Sequence, residues 1–181
     1  MGFIKSLKHI KEDRMSDYIR KFVKRLNDDL RDTDLSRLRR ASNDPSNDPR
    51  IFDILARLTF DMPKQLKTSL DLIATLYALA YQCPERNIER FNLGKTLKDK
   101  GWTDLRFRAL LNTDRENLNF RLRQVFKFIN SKGAVLNWET ITNHILSWSH
   151  PKKWVQRTWA EGFFAPELSD NQEIKETHHV N

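Results

Sequence analysis

Apolar residues recur along this chain at intervals of three and four positions, the spacing of helices with one buried face. The first such series comprises Met15, Tyr18, Ile19, Phe22, Val23, Leu26 and Leu30. The same period returns over residues 51–58, 65–82, 118–129 and 138–148, and no stretch alternates as a strand would. Only 5 glycines and 6 prolines interrupt the chain. The pattern therefore predicts an all-α fold, a compact bundle of about eight helices.

Interruptions of the pattern predict the domain boundaries. Residues 42–49 read SNDPSNDP and predict a loop, because Asn, Asp, Ser and Pro all favour turns. A second break lies at residues 84–90, and Pro151 is expected to open the last helix, where its missing N–H is not needed. The predicted units are a single helical domain over 1–166, lobes over roughly 1–84 and 91–166 within it, and a flexible C-terminal tail over 167–181.

The 5 tryptophans could serve either the core or single-strand binding, since aromatic rings stack on unpaired bases. Four of them fall on the apolar faces of predicted helices, and core packing is the better interpretation for these: Trp138, Trp148, Trp154 and Trp159. Trp102 follows Gly101 at a helix boundary, so for this residue both interpretations stay open.

The charge balance changes the picture from a generic helical bundle to a candidate polyanion binder. The chain has 32 Lys and Arg against 24 Asp and Glu, a formal net charge of +8. A surplus of this size attracts phosphates through its long-range field. Acidic partner proteins are the alternative ligands. The simplest interpretation is that half of the cations only keep the protein soluble.

Several function classes lack a supporting motif. The single cysteine, Cys83, can form neither an intrachain disulfide nor a cysteine-cluster metal site. No glycine-rich phosphate loop and no dinucleotide-binding fingerprint occurs. Structural or surface roles are predicted for the five histidines: His9, His144, His150, His178 and His179. The sequence thus predicts no metal, no cofactor and no catalytic residue. A catalytic pair of carboxylates has no characteristic motif, so the sequence alone does not exclude one.

The cellular location follows from what the chain lacks. No segment reaches the roughly 18 apolar residues that a membrane span needs, and the longest apolar run, residues 70–81, predicts a core helix. The N-terminus has no secretory apolar region, and Glu12 and Asp13 argue against a transit peptide. We expect a cytoplasmic protein without a membrane partner.

Cations recur near predicted helix ends and loops as well as on solvated faces. The set comprises Arg37, Arg39, Arg40, Lys95, Lys98, Lys100, Arg106, Arg108, Arg115, Arg121, Arg123, Lys152, Lys153 and Arg157. Arginine suits phosphate because its planar fork can bind two oxygens at once. Nothing in the sequence resembles a recognition helix that reads base edges, so the predicted contact is independent of sequence.

Five segments stand in a fixed order between about residues 15 and 164. They are LRRASNDP, LGKTLKDKGW, RFRALLNTDRENLNFRLRQVF, VLNWETITNHILSW and the basic stretch 151–157. Each is weakly specific alone, but the ordered set resembles the CasB family, the small subunit of the type I-E CRISPR surveillance complex, Cascade. The resemblance implies a non-catalytic, all-helical subunit that is present as a pair within the complex.

The same resemblance implies contacts with the guide RNA–target DNA hybrid, with the displaced single DNA strand and with the other Cascade subunits. Its motifs assign nucleic-acid binding to Arg39, Arg40, Lys95, Arg106, Arg115, Arg123, Lys152, Lys153 and Arg157. Two positions depart from the pattern. Lys95 replaces the arginine of some relatives and so loses the fork, while Gln124 stands where a second arginine can follow the first, which predicts weaker binding on that side.

Two other function classes stay open at this point. The protein could be an interaction scaffold whose basic faces contact acidic partner subunits and never touch nucleic acid. Charge reversal at Arg39, Arg40 and Arg123 would then impair assembly, whereas in a nucleic-acid-binding subunit it would impair DNA retention. An enzyme would need a histidine or carboxylate constellation that the sequence does not display.

Overall fold

The computed structural model describes residues 2–41, 43–86 and 89–166, with side chains from residue 13 onward. Within these ranges the chain forms nine α-helices, and the predicted all-α class is confirmed. Their bounds are Gly2–Asp28 (α1), Asp32–Arg39 (α2), Phe52–Thr59 (α3), Lys64–Leu79 (α4), Leu93–Asp99 (α5), Asp104–Leu111 (α6), Leu118–Ser131 (α7), Trp138–Leu146 (α8) and Trp154–Phe164 (α9). The predicted tail, 167–181, lies outside the described residues.

Local sequence signals account for several helix ends. Asn92 begins α5, where its Oδ1 accepts hydrogen bonds from the backbone N–H groups of Gly94 and Lys95, at 2.8 and 3.2 Å. Asn137 begins α8 in the same way, because its Oδ1 accepts from the backbone N–H of Thr140 at 2.9 Å. Such side chains satisfy N–H groups that the first helical turn leaves without partners.

Two connections show structure that the local pattern did not predict. The proline-rich loop between α2 and α3 contains two 3₁₀ turns, Pro45–Asn47 and Pro49–Ile51. The prediction that Pro151 opens the last helix was wrong, because α9 begins at Trp154 after a turn. Lys153, with φ 48° and ψ 35°, has the left-handed conformation, which interrupts the helical path between the proline and the helix.

α4 lies in the core, as the sequence predicted for this segment, and most of its residues are buried. α4 packs against α1, α2, α3, α7 and α8. Ile73 and Leu76 are completely buried there. One hydrophobic cluster runs from Ile19 in α1 to Phe163 in α9. The division into lobes stays a prediction.

The aromatic side chains occupy much of this core. The tryptophans that are completely or almost completely buried are Trp138, Trp148 and Trp159. Trp154 is partly buried and packs against the same cluster. Trp102 is 8% exposed, and its ring meets Phe128 edge to face with 4.7 Å between centroids. Core packing is therefore confirmed for most of the tryptophans, and Trp102 lies at the border between core and surface.

The helices α5 and α9 cross in close contact. A Cβ atom on Gly94 would lie 1.9 Å from the carbonyl oxygen of Trp159, and one on Gly162 would lie 2.3 Å from the side chain of Asn92. Asn92 also donates from Nδ2 to the carbonyl of Thr158 at 2.7 Å. Only glycine permits this approach of two backbones, and the asparagine that caps one helix holds the other.

Candidate nucleic-acid interface

The nine cations that the sequence analysis singled out differ in their access to solvent. The exposed ones are Arg40, Lys95, Arg106, Lys152, Lys153 and Arg157. The half-buried ones are Arg39, Arg115 and Arg123. A phosphate can reach the first group from solvent, so their surroundings define the candidate interface.

Three of the exposed cations line one cleft of about 640 Å³, here called the α6–α9 cleft. Lys152, Lys153 and Arg157 come from the turn before α9 and its first turn. The remaining lining residues are Leu111, Asn112, Thr113, Asp114, Gln156 and Ala160. The structure thus brings together the basic stretch that the sequence predicted, and it adds one carboxylate, that of Asp114.

Lys153 contributes a positive charge to this cleft from a left-handed backbone conformation, which destabilises the folded protein. A left-handed conformation costs a residue with a side chain about 1–2 kcal/mol, and glycine avoids most of this cost. We expect Lys153→Gly to be more stable than Lys153→Ala by up to about 1 kcal/mol in urea unfolding, since both lack the charge but only glycine relaxes the backbone. Equal midpoints for the two variants would contradict the left-handed assignment.

A second cleft, here called the α6–α7 groove, has a volume of about 490 Å³. Its lining residues are Trp102, Arg106, Leu110, Arg121, Gln124, Val125, Lys127 and Phe128. Arg106 was among the predicted site residues, but Arg121 and Lys127 were not. The sequence held a signal for this face, because Arg121, Gln124 and Phe128 follow one another at helical spacing.

The half-buried Arg123 joins two helices rather than facing solvent freely. Its Nη2 donates to the carbonyl oxygens of Arg39 and Ala41, at 3.2 and 3.3 Å, and so satisfies carbonyls at the C-terminal end of α2. Burial lowers the pKa of the Arg123 guanidinium. Nη1 is buried and has no hydrogen-bond partner among the described residues. Arg123 thereby positions the end of α2, where Arg39 and Arg40 stand.

Those two arginines are themselves held by local contacts. The guanidinium of Arg39 lies 4.3 Å from the ring centroid of Tyr81, in cation–π geometry. Nε of Arg40 donates to the carbonyl of Ser36 at 3.0 Å, one turn back along α2. Arg40 remains exposed, so its outer nitrogens can still meet a phosphate.

Arg115 and Lys95 lie outside both clefts. Arg115 donates to the carbonyl of Ile145 at 2.9 Å and to Oγ of Ser69, so it fastens the loop before α7 to α8 and α4. Burial lowers the pKa of Arg115. Lys95 stands on the exposed face of α5, 3.7 Å from the carboxylate of Asp99. Direct binding of nucleic acid by these two residues stays a prediction.

The described residues hold no group of three or more histidine, cysteine or acidic side chains placed to bind a metal ion. His144 is buried, and its Nδ1 accepts a hydrogen bond from Nε1 of Trp159 at 2.9 Å. Burial lowers the pKa of His144 to about 4.

The described part of the chain also contains no helix long and apolar enough to cross a bilayer.

Fold and surface together define a class: small all-helical proteins with exposed cations gathered at clefts between helices. Comparison with known proteins narrows the class to one family. The family model of the CRISPR-associated protein Cse2 matches residues 34–164, and the chain belongs to this family. The CasB resemblance predicted from the ordered segments is confirmed.

Individual relatives agree with this assignment. The chain is 30% identical to the CRISPR-associated protein Cse2 of Thermus thermophilus over 109 residues, which span 58% of this chain and 61% of that protein. CasB from Thermus thermophilus superposes with a TM-score of 0.64 at 25% identity, covering 85% of this chain and 97% of that one. A chain of a CRISPR RNA-guided surveillance complex has the same fold, with a TM-score of 0.67 at 18% identity over 82% of this chain and 92% of that one.

Proposed function

We propose that this protein is the non-catalytic small subunit of the type I-E CRISPR surveillance complex, Cascade, and acts in the cytoplasm. In that complex it stabilises the R-loop by binding the backbones of the guide RNA–target DNA hybrid and of the displaced DNA strand. The observation that carries the proposal is the gathering of Lys152, Lys153 and Arg157 along the α6–α9 cleft in a Cse2-family fold.

Electrostatics supports backbone contact without sequence reading. These three cations are exposed, and among the described side chains they form no ion pair. Cations that neutralise phosphates release condensed counterions, and this supplies affinity for any sequence. The charges lie on or next to α9, which crosses α5 closely, so binding orders their side chains but not the backbone that carries them.

The energetics of an R-loop make such modest contacts sufficient. Exchange of a DNA duplex for an RNA–DNA hybrid is nearly balanced in free energy, so a few backbone contacts can shift it. A displaced single strand is flexible and highly charged, and a basic cleft on rigid helices can hold it. Such contacts would prolong the lifetime of the R-loop and so support antiviral surveillance.

The proposal includes contacts with other Cascade subunits and with a second copy of the chain. Phe52, Phe60 and Leu105 are large apolar side chains that are 47%, 69% and 80% exposed. Phenylalanine is enriched at protein interfaces, so the exposed rings of Phe52 and Phe60 are candidate contacts for a protein partner. In the alternative hypothesis, a scaffold for acidic partner proteins, the same surfaces serve assembly but the basic cleft binds no nucleic acid.

A salt titration with a charge-reversed variant tests nucleic-acid binding. We expect the purified protein to bind single-stranded DNA and random duplex with an affinity that falls linearly in log–log against salt. The triple variant Lys152→Glu/Lys153→Glu/Arg157→Glu should lower the steepness of this dependence by about 3, roughly one for each lost phosphate contact. Fluorescence anisotropy over a series of salt concentrations measures the slope.

A matched control is offered by α1. Arg20, Lys21 and Lys24 are exposed there, and the variant with glutamate at all three changes the net charge equally. These cations stand among carboxylates, for example the Asp17 carboxylate that pairs with Arg20 at 3.2 Å. The control should keep the salt slope of the wild type. If both variants lowered the salt slope equally, the overall charge of the protein and not the cleft would account for DNA binding. If the folded protein bound no DNA at low salt, the scaffold hypothesis would be favoured.

A further inference from the structure

The α6–α7 groove differs from the other clefts in the balance of its charges. The described side chains that line it include three cations, Arg106, Arg121 and Lys127, and no carboxylate. The α6–α9 cleft contains one carboxylate, and the cleft beside α1 offsets Lys21, Lys24 and Arg25 with Asp28, Asp29 and Asp61. The groove therefore presents the most uniformly positive concave surface of the three.

Half of the residues that line the groove are apolar or aromatic, which a pure phosphate site would not require. They are Trp102, Leu110, Val125 and Phe128. The edge-to-face contact of the two rings, 4.7 Å between centroids, fixes the orientation of the half-buried Phe128. The guanidinium of Arg106, on α6, lies 5.5 Å from the Trp102 ring centroid, so a flat cation lies beside the aromatic part of the lining.

One ligand chemistry matches both features: a flat apolar ring attached to an anionic chain. We propose that the α6–α7 groove is a subsite for one unpaired nucleobase of a single strand, with the flanking phosphates on the cationic rim. Bases stack on aromatic rings and on arginine planes, and stacking tolerates any base because each has a π-face. This inference rests on the proposed function, to which it adds a contact with a base.

The polar groups of the groove fit a subsite that tolerates different bases. Gln124 is the one uncharged hydrogen-bonding side chain on the groove-facing surface of α7 among the described lining residues. A single amide can adapt to donors or acceptors, and it lacks the several fixed groups that reading a base edge requires. The groove volume, about 490 Å³, lies within the range of sites that bind small organic ligands.

The test compares two oligonucleotides of equal length and charge, one of thymidylate and one in which abasic sites replace internal thymines. We expect the wild-type protein to bind the thymidylate strand roughly 5- to 150-fold more tightly, the range that stacking of one base on an aromatic residue supplies. Both strands contact the cationic rim equally, so the ratio of their affinities isolates the base. Anisotropy competition at one fixed salt concentration measures this ratio.

Three variants on α7 assign the effect to the groove. Phe128→Leu keeps apolar volume and removes the ring, so the ratio should fall towards one while binding of the abasic strand stays as in the wild type. Phe128→Tyr keeps a ring and should keep the ratio. Phe120→Leu is the control, because Phe120 is 52% exposed on the same helix but does not line the groove; it should leave the ratio unchanged.

A crosslinking measurement on the wild-type protein makes the test independent of how the variants fold. Strands carrying 5-iodouracil should crosslink on irradiation to Phe128 or Trp102, and tryptic peptides separate Phe128 from Phe120 because Arg121, Arg123 and Lys127 lie between them. Crosslinks confined to other residues would overturn the subsite. Equal binding of both strands would also overturn it while leaving the proposed function intact, whereas failure to bind either strand would remove both.

Discussion

Gly94→Ala is expected to lower the free energy of unfolding by about 3 kcal/mol, at the upper end of what overpacking of a tight contact costs. The added Cβ would lie 1.9 Å from the carbonyl oxygen of Trp159 and 2.7 Å from its carbonyl carbon. Both atoms belong to the backbone of α9, so no side chain can rotate away. The helices α5 and α9 must separate, and the core between them opens.

The consequences of this separation extend beyond the contact itself. Asn92 would lose its hydrogen bond to the carbonyl of Thr158, because α9 moves away from the end of α5. Phe163 stacks on Phe107 with 3.9 Å between ring centroids, and a shift of α9 would disturb this pair as well. Chemical denaturation followed by far-ultraviolet circular dichroism measures the loss.

Gly101→Ala is the matched control for this prediction. A Cβ at position 101 meets nothing within 4 Å, but φ is +84°, a value that favours glycine. The control therefore isolates the conformational cost of adding a methyl group, about 1 kcal/mol. If Gly94→Ala were no more destabilising than Gly101→Ala, α5 and α9 could separate without loss of stability. The close crossing would then not be important for the stability of the fold.

Acid should destabilise the protein through His144, by up to about 3 kcal/mol between pH 6.5 and pH 4. Burial holds the pKa of His144 at about 4 in the folded state, against 6.5 for the free side chain. Between these two values the unfolded chain binds the proton and the folded chain does not. The stability that the neutral imidazole provides is thus complete above pH 6.5 and is lost as the pH falls towards 4.

The surroundings of His144 explain why the charged form is excluded. Its Nδ1 accepts from Nε1 of Trp159, and the Trp154 ring meets its own ring edge to face with 5.4 Å between centroids. A proton on Nδ1 would turn that acceptor into a donor facing another donor. Burial also raises the pKa of Asp71, which opposes the loss, so the comparison of variants carries the prediction.

The variant His144→Asn tests this account, because an asparagine oxygen can accept from Trp159 and does not titrate. We expect urea midpoints of this variant to depend less on pH between 6.5 and 4 than those of the wild type. His150→Asn is the control, since His150 is exposed and its Nδ1 accepts only from the backbone N–H of Lys152 at 3.2 Å. An undiminished acid dependence in His144→Asn would show that other groups cause it.

The arginines show where prediction of the site from sequence reaches its limit. The family motifs assigned Arg40, Arg115 and Arg123 the same task, yet only Arg40 is exposed. A long flexible side chain can meet solvent or fold back onto neighbouring carbonyls, and the choice depends on residues distant in the chain. Arg115 reaches Ile145, and Arg123 reaches the end of α2. No local pattern contains these partners.

The sequence by itself determined the helices and the family. Apolar residues every three or four positions are a local property, and they predicted α3, α4, α7 and α8 to within a few residues, whereas the start of α9 was predicted wrongly. That start depended on the backbone of Lys153, whose left-handed conformation is imposed by the turn it closes. The ordered motifs of the family are likewise written in the chain.

Only the tertiary structure decided which surfaces these helices form together. The α6–α7 groove exists because α6 lies beside α7, and this brings Arg106 next to Arg121 and Lys127. The demand for glycine at position 94 arises from α9, more than sixty residues further along the chain. The local spacing of apolar residues predicts where helices form. Clefts, buried charges and close crossings follow from packing between segments, which also supplies most of the stability of helices this short.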